Sequence, residues 1–357
     1  MINGIYTNSW VVPVKICIIG DPYGVHDIGE RKAVGQIVHE LMRSNEVLVL
    51  RPRDVLSPNK IRRLRGFQPK IIHYWAGPRL QSVVILWAFK KTSRAKASLI
   101  TAIRPEVSRF GLLFARYFKP NLILAQSEFY LNQFRKFGFN TAFFPNGVDT
   151  KVFFSVDEPK KQELRLKYSI PLDKYVVLHV GHITPWRSLG IFSELAADRK
   201  NHILIIGSTS LFKPYDDILK SLRDSGCDVR LEFFQDIAEI YQLADCFVFP
   251  GGSESQVRLP LFRPERQKVP GIEIPLSVLE AAACGLQVVT SRFGGLEKCP
   301  GSGEGIYFFD SQYEIPDIIE RIKSKGTPSQ KCGKIVDYDW KNVSAELLKI
   351  YEEFKRT

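Results

Sequence analysis

Residues 271–291 read Gly-Ile-Glu-Ile-Pro-Leu-Ser-Val-Leu-Glu-Ala-Ala-Ala-Cys-Gly-Leu-Gln-Val-Val-Thr-Ser, three structural pieces in unbroken succession. A loop ends at Pro275, which has no backbone N–H to donate and fits just ahead of a helix. Ser277 with Glu280 three positions on has the spacing of a capping box, and Gly285 is placed to end the helix before the apolar pair Val288 and Val289. Glycines and small side chains let the backbone come close to a ligand. A helix that starts here aims its unpaired N–H groups at the preceding loop, and such a terminus favours an anion, phosphate above all. The stretch predicts a loop, a short helix and a buried strand that together carry half of a nucleotide diphosphate site.

The same alternation extends outward in both directions. Toward the N-terminus, Val14 to Gly20 is an apolar strand running into a glycine-bearing loop, then a helix from about Glu30 to Ser44, then the strand Val47 to Leu50. The pattern continues with Ile71 to Tyr74, a helix over Leu80 to Lys90, and strands at Ser98 to Thr101 and Leu122 to Ala125. Residues 155–174 are polar and read as a linker and first helix, after which Val176 to Val180 restarts the series. Strands follow at Ile203 to Ile206, Val229 to Phe233, Cys246 to Phe249 and Val288 to Val289. This predicts two doubly wound α/β units with ligands at the carboxyl ends of the strands and a cleft between them. Residues 251–270, rich in Gly, Ser, Pro and Arg, exceed an ordinary loop, as functional or mobile loops do.

A chain of 357 residues, 45% of them hydrophobic, suits two cores better than one. Its net charge of +12 is lopsided: residues 1–150 hold 22 Lys and Arg against 9 Asp and Glu, net +13, while the remainder holds 28 against 29, net −1. An anionic partner for the first half is implied. Two basic stretches, Lys60 to Arg65 and Lys90 to Lys96, and an aromatic basic segment from Phe110 to Lys119 supply much of the excess and suit an anionic membrane surface, or else are solvated helix faces. No recognition-helix, zinc-finger or ribonucleoprotein pattern accompanies the charge, so nucleic acid is not expected. The six cysteines and six histidines show no metal-ligand spacing and read as free thiols and unclustered imidazoles. Pro13 and Lys15 interrupt what would be a signal core, and the longest apolar run, Val83 to Phe89, is far short of a membrane span. The expectation is a cytoplasmic protein, peripheral at the inner membrane face.

The 271–291 segment resembles the donor-binding motif of the retaining glycosyltransferases of family four, the glycosyl transferases group 1. Four further marks stand in that family's order. Pro145-Asn146-Gly147-Val148-Asp149 with Phe153 resembles the interdomain hinge, and Val180-Gly181-His182 followed by Arg187 resembles the phosphate loop. Tyr241 to Asp245 before Cys246 to Pro250 is similar to the helix-strand unit, and Asp339-Trp340 to the start of the last helix. The resemblance implies α/β architecture of the GT-B fold, two Rossmann-like domains facing across a cleft. It divides the chain into an acceptor domain at 1–150, a nucleotide-sugar domain at 151–339, and a C-terminal helix at 340–357 that crosses back onto the first domain. It also implies transfer of a sugar from a nucleoside diphosphate sugar to a glycan or lipid-linked acceptor with retention of configuration, without metal or other cofactor.

Site residues follow from the same resemblance. Glu280 matches the glutamate that binds ribose hydroxyls, and Gly29, Gly181, Leu276 and Ser277 fall on the donor side. The other motif glutamate, which contacts the transferring sugar, should stand where this chain has Ile272; neighbouring Glu273 either takes over or is a solvated loop charge. His182 replaces the family's phosphate arginine and Arg187 its lysine, so Glu273, Arg187 and His182 are the catalytic candidates. A growing negative charge on the leaving diphosphate is what Arg187 would stabilise. Gly29 is otherwise a turn glycine. On the acceptor side stand His73, at a strand's carboxyl end or else a buried structural histidine, and Arg104, or else a surface arginine. Ser127 either meets the substrate or caps a helix. Ile272 and His182 together leave open a silent GT-B-like scaffold that binds nucleotide sugar without turning it over. A Rossmann oxidoreductase does not fit, because no G-x-G-x-x-G follows Val14 to Gly20.

Overall fold

The computed structural model describes residues 13–22, 29–75, 77–103, 105, 108–208, 215–251, 273–298, 305–325 and 335–354. Twelve strands form two sheets among these residues. The first sheet holds β1 (Lys15–Ile19), β2 (Glu46–Leu50), β3 (Ile71–Trp75), β4 (Ala97–Ala102), β5 (Leu122–Ala125) and β6 (Thr141–Phe143). The second holds β7 (Tyr175–His182), β8 (Asn201–Ser208), β9 (Asp228–Arg230), β10 (Cys246–Phe249), β11 (Gln287–Ser291) and β12 (Ile306–Phe309). Helices α1 (Gly29–Met42), α2 (Pro58–Phe67), α3 (Leu80–Ser93), α4 (Arg109–Ala115) and α5 (Glu128–Lys136) connect the first set. Among the second lie α6 (Glu158–Lys167), α7 (Ile191–Ala197), α8 (Asp216–Asp224), α9 (Ile237–Gln242), α10 (Leu276–Ala283) and α11 (Ile315–Lys325). The last helix is α12 (Trp340–Glu353).

All pairings are parallel, in the orders β2-β1-β3-β4-β5-β6 and β12-β11-β10-β7-β8-β9. Strand order reverses between β1 and β3 in one sheet and between β7 and β10 in the other, and a parallel sheet opens its ligand crevice at such a reversal. The central strands are apolar along their whole length because helices cover both faces: β4, β10 and β11 have no exposed residue. Asp245, just before β10, shows how the helix-strand unit is held. Its carboxylate accepts from Arg165 Nη2 at 2.6 Å and the Val176 N–H at 2.7 Å, and pairs with Lys161, tying α6 to β7.

Several boundaries shift by a few residues from the sequence expectation, and two shifts are larger. β9 stops at Arg230 and leaves Phe233 66% exposed, so the predicted extension to Phe233 is apolar without being sheet. The helix expected over 110–119 unwinds into a 3₁₀ turn at Arg116–Phe118.

Although α12 is last in sequence, it packs on the first sheet: its Trp340, Val343, Leu347 and Tyr351 share one buried cluster with Ile16, Ile37 and Leu99. The chain thus passes between the sheets twice, and the passages touch. Val148 N–H donates to Tyr338 O at 2.8 Å and Trp340 N–H to Val148 O at 3.1 Å, a parallel bridge of single residues. Gly147 permits this approach, since a Cβ there would stand 2.6 Å from the Trp340 indole. Asp339 caps α12, its carboxylate accepting from the Lys341 N–H and from both N–H and hydroxyl of Thr150. Burial opposes its ionisation, yet these hydrogen bonds outweigh burial and hold its carboxyl below the usual range.

Candidate active site

The helix within the 271–291 segment begins two residues earlier than a capping box at Ser277 requires. Pro275 is the N-cap of α10, with φ −63° and ψ 132°, and no side chain caps the helix. Ser277 is consequently already inside the first turn, and the expected Ser277–Glu280 capping box does not form; proline, extended and lacking an N–H, sets the start instead. That frees Glu280 for another purpose. Only 7% exposed, it accepts the Tyr241 hydroxyl of α9 on Oε2 at 2.9 Å and Lys32 Nζ of α1 on Oε1. Burial and the adjacent Glu280 carboxylate push the Tyr241 hydroxyl well above its ordinary pKa, so it remains a donor. The Lys32 ammonium also lies 4.7 Å from the ring centroid of Phe153.

Gly29 is the first residue of α1, where a Cβ would lie 3.5 Å from Leu276 Cδ1, an ordinary contact. The starts of α1 and α10, one from each sheet, therefore face each other. Gly29, Leu276, Ser277 and Glu280 come together there.

At the end of β7, Gly181 and half-buried His182 lead into the turn Pro185–Arg187. The Arg187 guanidinium lies 4.6 Å from the Phe249 ring centroid, and Phe249 in turn stacks on Phe293. An arginine stacked on a strand-end aromatic is oriented by the sheet, which is what a fixed anion-binding fork requires. Beneath it lies His179, absent from the sequence candidates. This fully buried imidazole donates from Nδ1 to Val248 O at 2.9 Å. Its pKa falls to about 4, chiefly through burial and further through Arg187, against the opposing hydrogen bond to Val248. A Gly181 Cβ would stand 3.2 Å from His179 Nε2, so this ring narrows the choice of residue in the loop above.

Glu273 is 1% exposed, which rules out a solvated loop charge. Its carbonyl accepts from the Gly295 N–H at 3.1 Å. The next residue is gripped from the first sheet: Ile274 N–H donates to Gln126 Oε1 at 3.2 Å and Asn146 Nδ2 donates to Ile274 O at 2.8 Å. Gly294, at φ +62°, closes against the same peptide; a Cβ there would be 1.8 Å from Glu273 O. A strand-end amide and a hinge amide thus fix the loop that carries the displaced glutamate. Gln126 had a signal, a polar residue straight after the apolar β5, whereas Lys32 had none, since a lysine in a first helix turn reads as surface.

The acceptor-side expectation for His73 is corrected. His73 is wholly buried, with Nδ1 2.6 Å from the Tyr351 hydroxyl and Nε2 2.7 Å from Thr101 Oγ1, so both nitrogens serve the seat of α12 on the sheet. Burial lowers its pKa to about 3. Ser127 caps α5 by accepting from the Tyr130 N–H. Arg104 lies outside the described residues, as does all of the 251–270 loop beyond Gly251. Among the described residues no cluster of three or more His, Cys, Asp or Glu could hold a metal ion. The four described cysteines are buried, and burial pushes the thiols of Cys227 and Cys246 up to about 11 and about 12.

Residues 174–323 match the family model described as Glycosyl transferases group 1. The match covers less than half of the chain and falls within its second sheet and the helices around it. The span includes Gly181, His182, Arg187, Glu273, Leu276, Ser277 and Glu280. The chain is 25% identical over 228 residues to the D-inositol 3-phosphate glycosyltransferase of Paenarthrobacter aurescens, covering 58% of this chain and 50% of the relative. With the enzyme of the same name from Mycobacterium bovis it shares 29% identity over 159 residues, 42% of this chain and 28% of that one. The chain spans about half the length, or less, of these curated relatives. Among solved structures, Anabaena HepE in complex with UDP and glucose superposes with a TM-score of 0.69 over 95% of this chain and 100% of that one, at 15% identity. A glycosyltransferase from Rickettsia africae gives 0.75 over 97% and 99%, at 12% identity. The two parallel sheets are those of the GT-B fold.

Proposed function

We propose that this chain is a glycosyl transferase of group 1 that moves a sugar from a nucleoside diphosphate sugar to a glycan or lipid-linked acceptor, with retention of configuration. The observation that carries the reading is the convergence of the α1 and α10 starts on one buried carboxylate, Glu280, at the open end of both sheets. In this scheme residues 151–339 hold the donor and residues 1–150 the acceptor, with 340–357 docked on the latter. Glu280 accepts the ribose hydroxyls, and the α10 start with Gly29, Gly181, Leu276 and Ser277 holds the diphosphate. Arg187, aided by His182, stabilises the charge that grows on the leaving diphosphate, whose own oxygen assists acceptor deprotonation without a metal. Glu273, locked by Gln126 and Asn146, faces the transferring sugar. HepE, solved with UDP-glucose, makes a uridine donor the first to try.

A peripheral position at the inner membrane face is part of the same proposal. Leu80, Val84 and Trp87 stand exposed along α3, and Phe110, Leu113, Phe114 and Tyr117 along α4 and the turn after it. Lys91, Arg94, Arg109, Arg116 and Lys119 surround them and are exposed as well. Apolar rings framed by cations suit an anionic lipid surface. No described helix is long and apolar enough to cross a membrane.

The test is nucleoside diphosphate release from UDP, GDP and ADP sugars, with and without anionic vesicles carrying a lipid extract, followed by NMR of the product anomer. Release from one donor with retained configuration, rising with vesicles, is expected. Nucleotide binding without turnover across the panel would favour the silent scaffold that Ile272 and His182 leave open.

A further inference from the structure

We propose that Lys32 is an internal competitor for the donor's ribose, so that nucleotide binding unties the first sheet's α1 from the second sheet's α10. The inference rests on the donor reading of Glu280 given above. A carboxylate offers two acceptor sites on each oxygen, and here each oxygen is already engaged. Tyr241, wholly buried, closes the Oε2 side. What access remains to Glu280 is from the side occupied by Lys32, whose side chain is 27% exposed against 9% for the carboxylate.

Lys32 belongs to the first sheet's layer, while both groups that hold its ammonium, the Glu280 carboxylate and the Phe153 ring, belong to the second. It therefore ties the two bodies with a single side chain. A ribose presenting two vicinal hydroxyls needs Glu280 as an unshared anion, because hydrogen bonds to a full charge are about twice as strong as neutral ones. An ammonium on Oε1 occupies a site and neutralises that charge.

The displaced ammonium has somewhere to go. A pocket of about 420 Å³ opens beside Lys32 between α1, the hinge and the start of α12, lined by Glu40, Asp149 and Asp339 and equally by the cations Arg31, Arg43 and Lys151. Glu40 is paired with Arg43 and Asp339 with Thr150, so the cation is received by solvent at this opening. Donor binding then exchanges an interdomain ion pair for a ligand contact, and free Glu280 is shielded from wrong cations until a diol arrives.

The experiment measures affinity by calorimetry for whichever of UDP, GDP and ADP binds the wild-type protein, and for the 2′,3′-dideoxy form of that nucleotide. Lys32→Met keeps the stem and removes the charge. It should bind the diol nucleotide about fivefold tighter, the scale of a partly exposed ion pair, and the dideoxy form unchanged. Lys32→Arg should restore most of the wild-type behaviour. If Lys32→Met lowers the melting temperature, Lys32→Gln carries the same expectation. An equal change for both nucleotides, no change, or weaker diol binding would each overturn the competition. Should wild type bind a nucleotide without distinguishing its dideoxy form, the ribose role of Glu280 fails, and the inference with it; should it bind none, the donor reading itself fails.

Discussion

The two sheets end in opposite ways. In the first, polar residues of β3 and β4 are consumed internally: His73, in the middle of β3, bonds both Thr101 and Tyr351, under a helix that arrives from the far end of the chain. In the second, the residues after β7 and those just before α10 stay at the opening between the bodies, with Arg187 stacked above Phe249 and the Glu273 loop fastened from across the seam. Polar residues inside the strands serve as a foundation in one sheet, and those beyond the strand ends as an opening in the other. A covering helix makes the difference.

Three measurements press on that contrast. The largest effect is expected from Arg187→Ala in the second sheet. Under the proposed function it removes the permanent charge opposite the leaving diphosphate and should lower turnover about 100-fold, read as nucleoside diphosphate release, with the melting temperature nearly unchanged. Turnover within twofold of wild type would place the charge stabilisation elsewhere. In the first sheet, His73→Leu should do the reverse. It strands the buried hydroxyls of Tyr351 and Thr101 and should cost about 2–4 kcal/mol by urea unfolding while leaving turnover intact. A specific loss of turnover at unchanged stability would return His73 to the acceptor side.

The smallest effect is a slope with pH. His73 and His179 are held neutral in the fold, with pKa values near 3 and 4, against about 6.5 in an unfolded chain. As pH falls below 6.5 the unfolded chain takes up protons that the native one refuses, so stability is full above that value and drains away toward pH 4. Each histidine contributes about 1.4 kcal/mol per pH unit well inside that window. Urea midpoints between pH 7 and 5 read the slope, and His73→Leu should reduce it by one histidine's share. An unchanged slope in that variant would mean that His73 is not buried neutral.

Much of the fold was legible because alternation of apolar runs with glycine-bearing loops is a local signal. β10 has the bounds that the run Cys246 to Phe249 announced, and β5 likewise. The short edge strands β6 and β12 were not anticipated, although Ile306 to Phe309 is an apolar run; each pairs with one neighbour, β5 or β11. The capping box failed for a different reason: Ser277 and Glu280 have the right spacing, but Pro275 fixes where the helix begins. The partners of Glu280 lie 39 and 248 residues away, and no window of sequence holds them together. His73 was ambiguous in sequence because its neighbours say only that it ends a strand, and the helix that covers it starts at Trp340.

The paired passages at 147–150 and 338–340 also govern how the two bodies can move. Two chain segments stitched side by side resist shear and twist as a single ribbon, yet bend across their narrow dimension with little resistance. Gly147 pressed against the Trp340 ring leaves no slack at that point. Relative motion is thereby reduced toward one rotation, like a lid on a short piano hinge. Lys32 and the Gln126 and Asn146 amides then lie at different stations along the same swing, so a single angle sets them all.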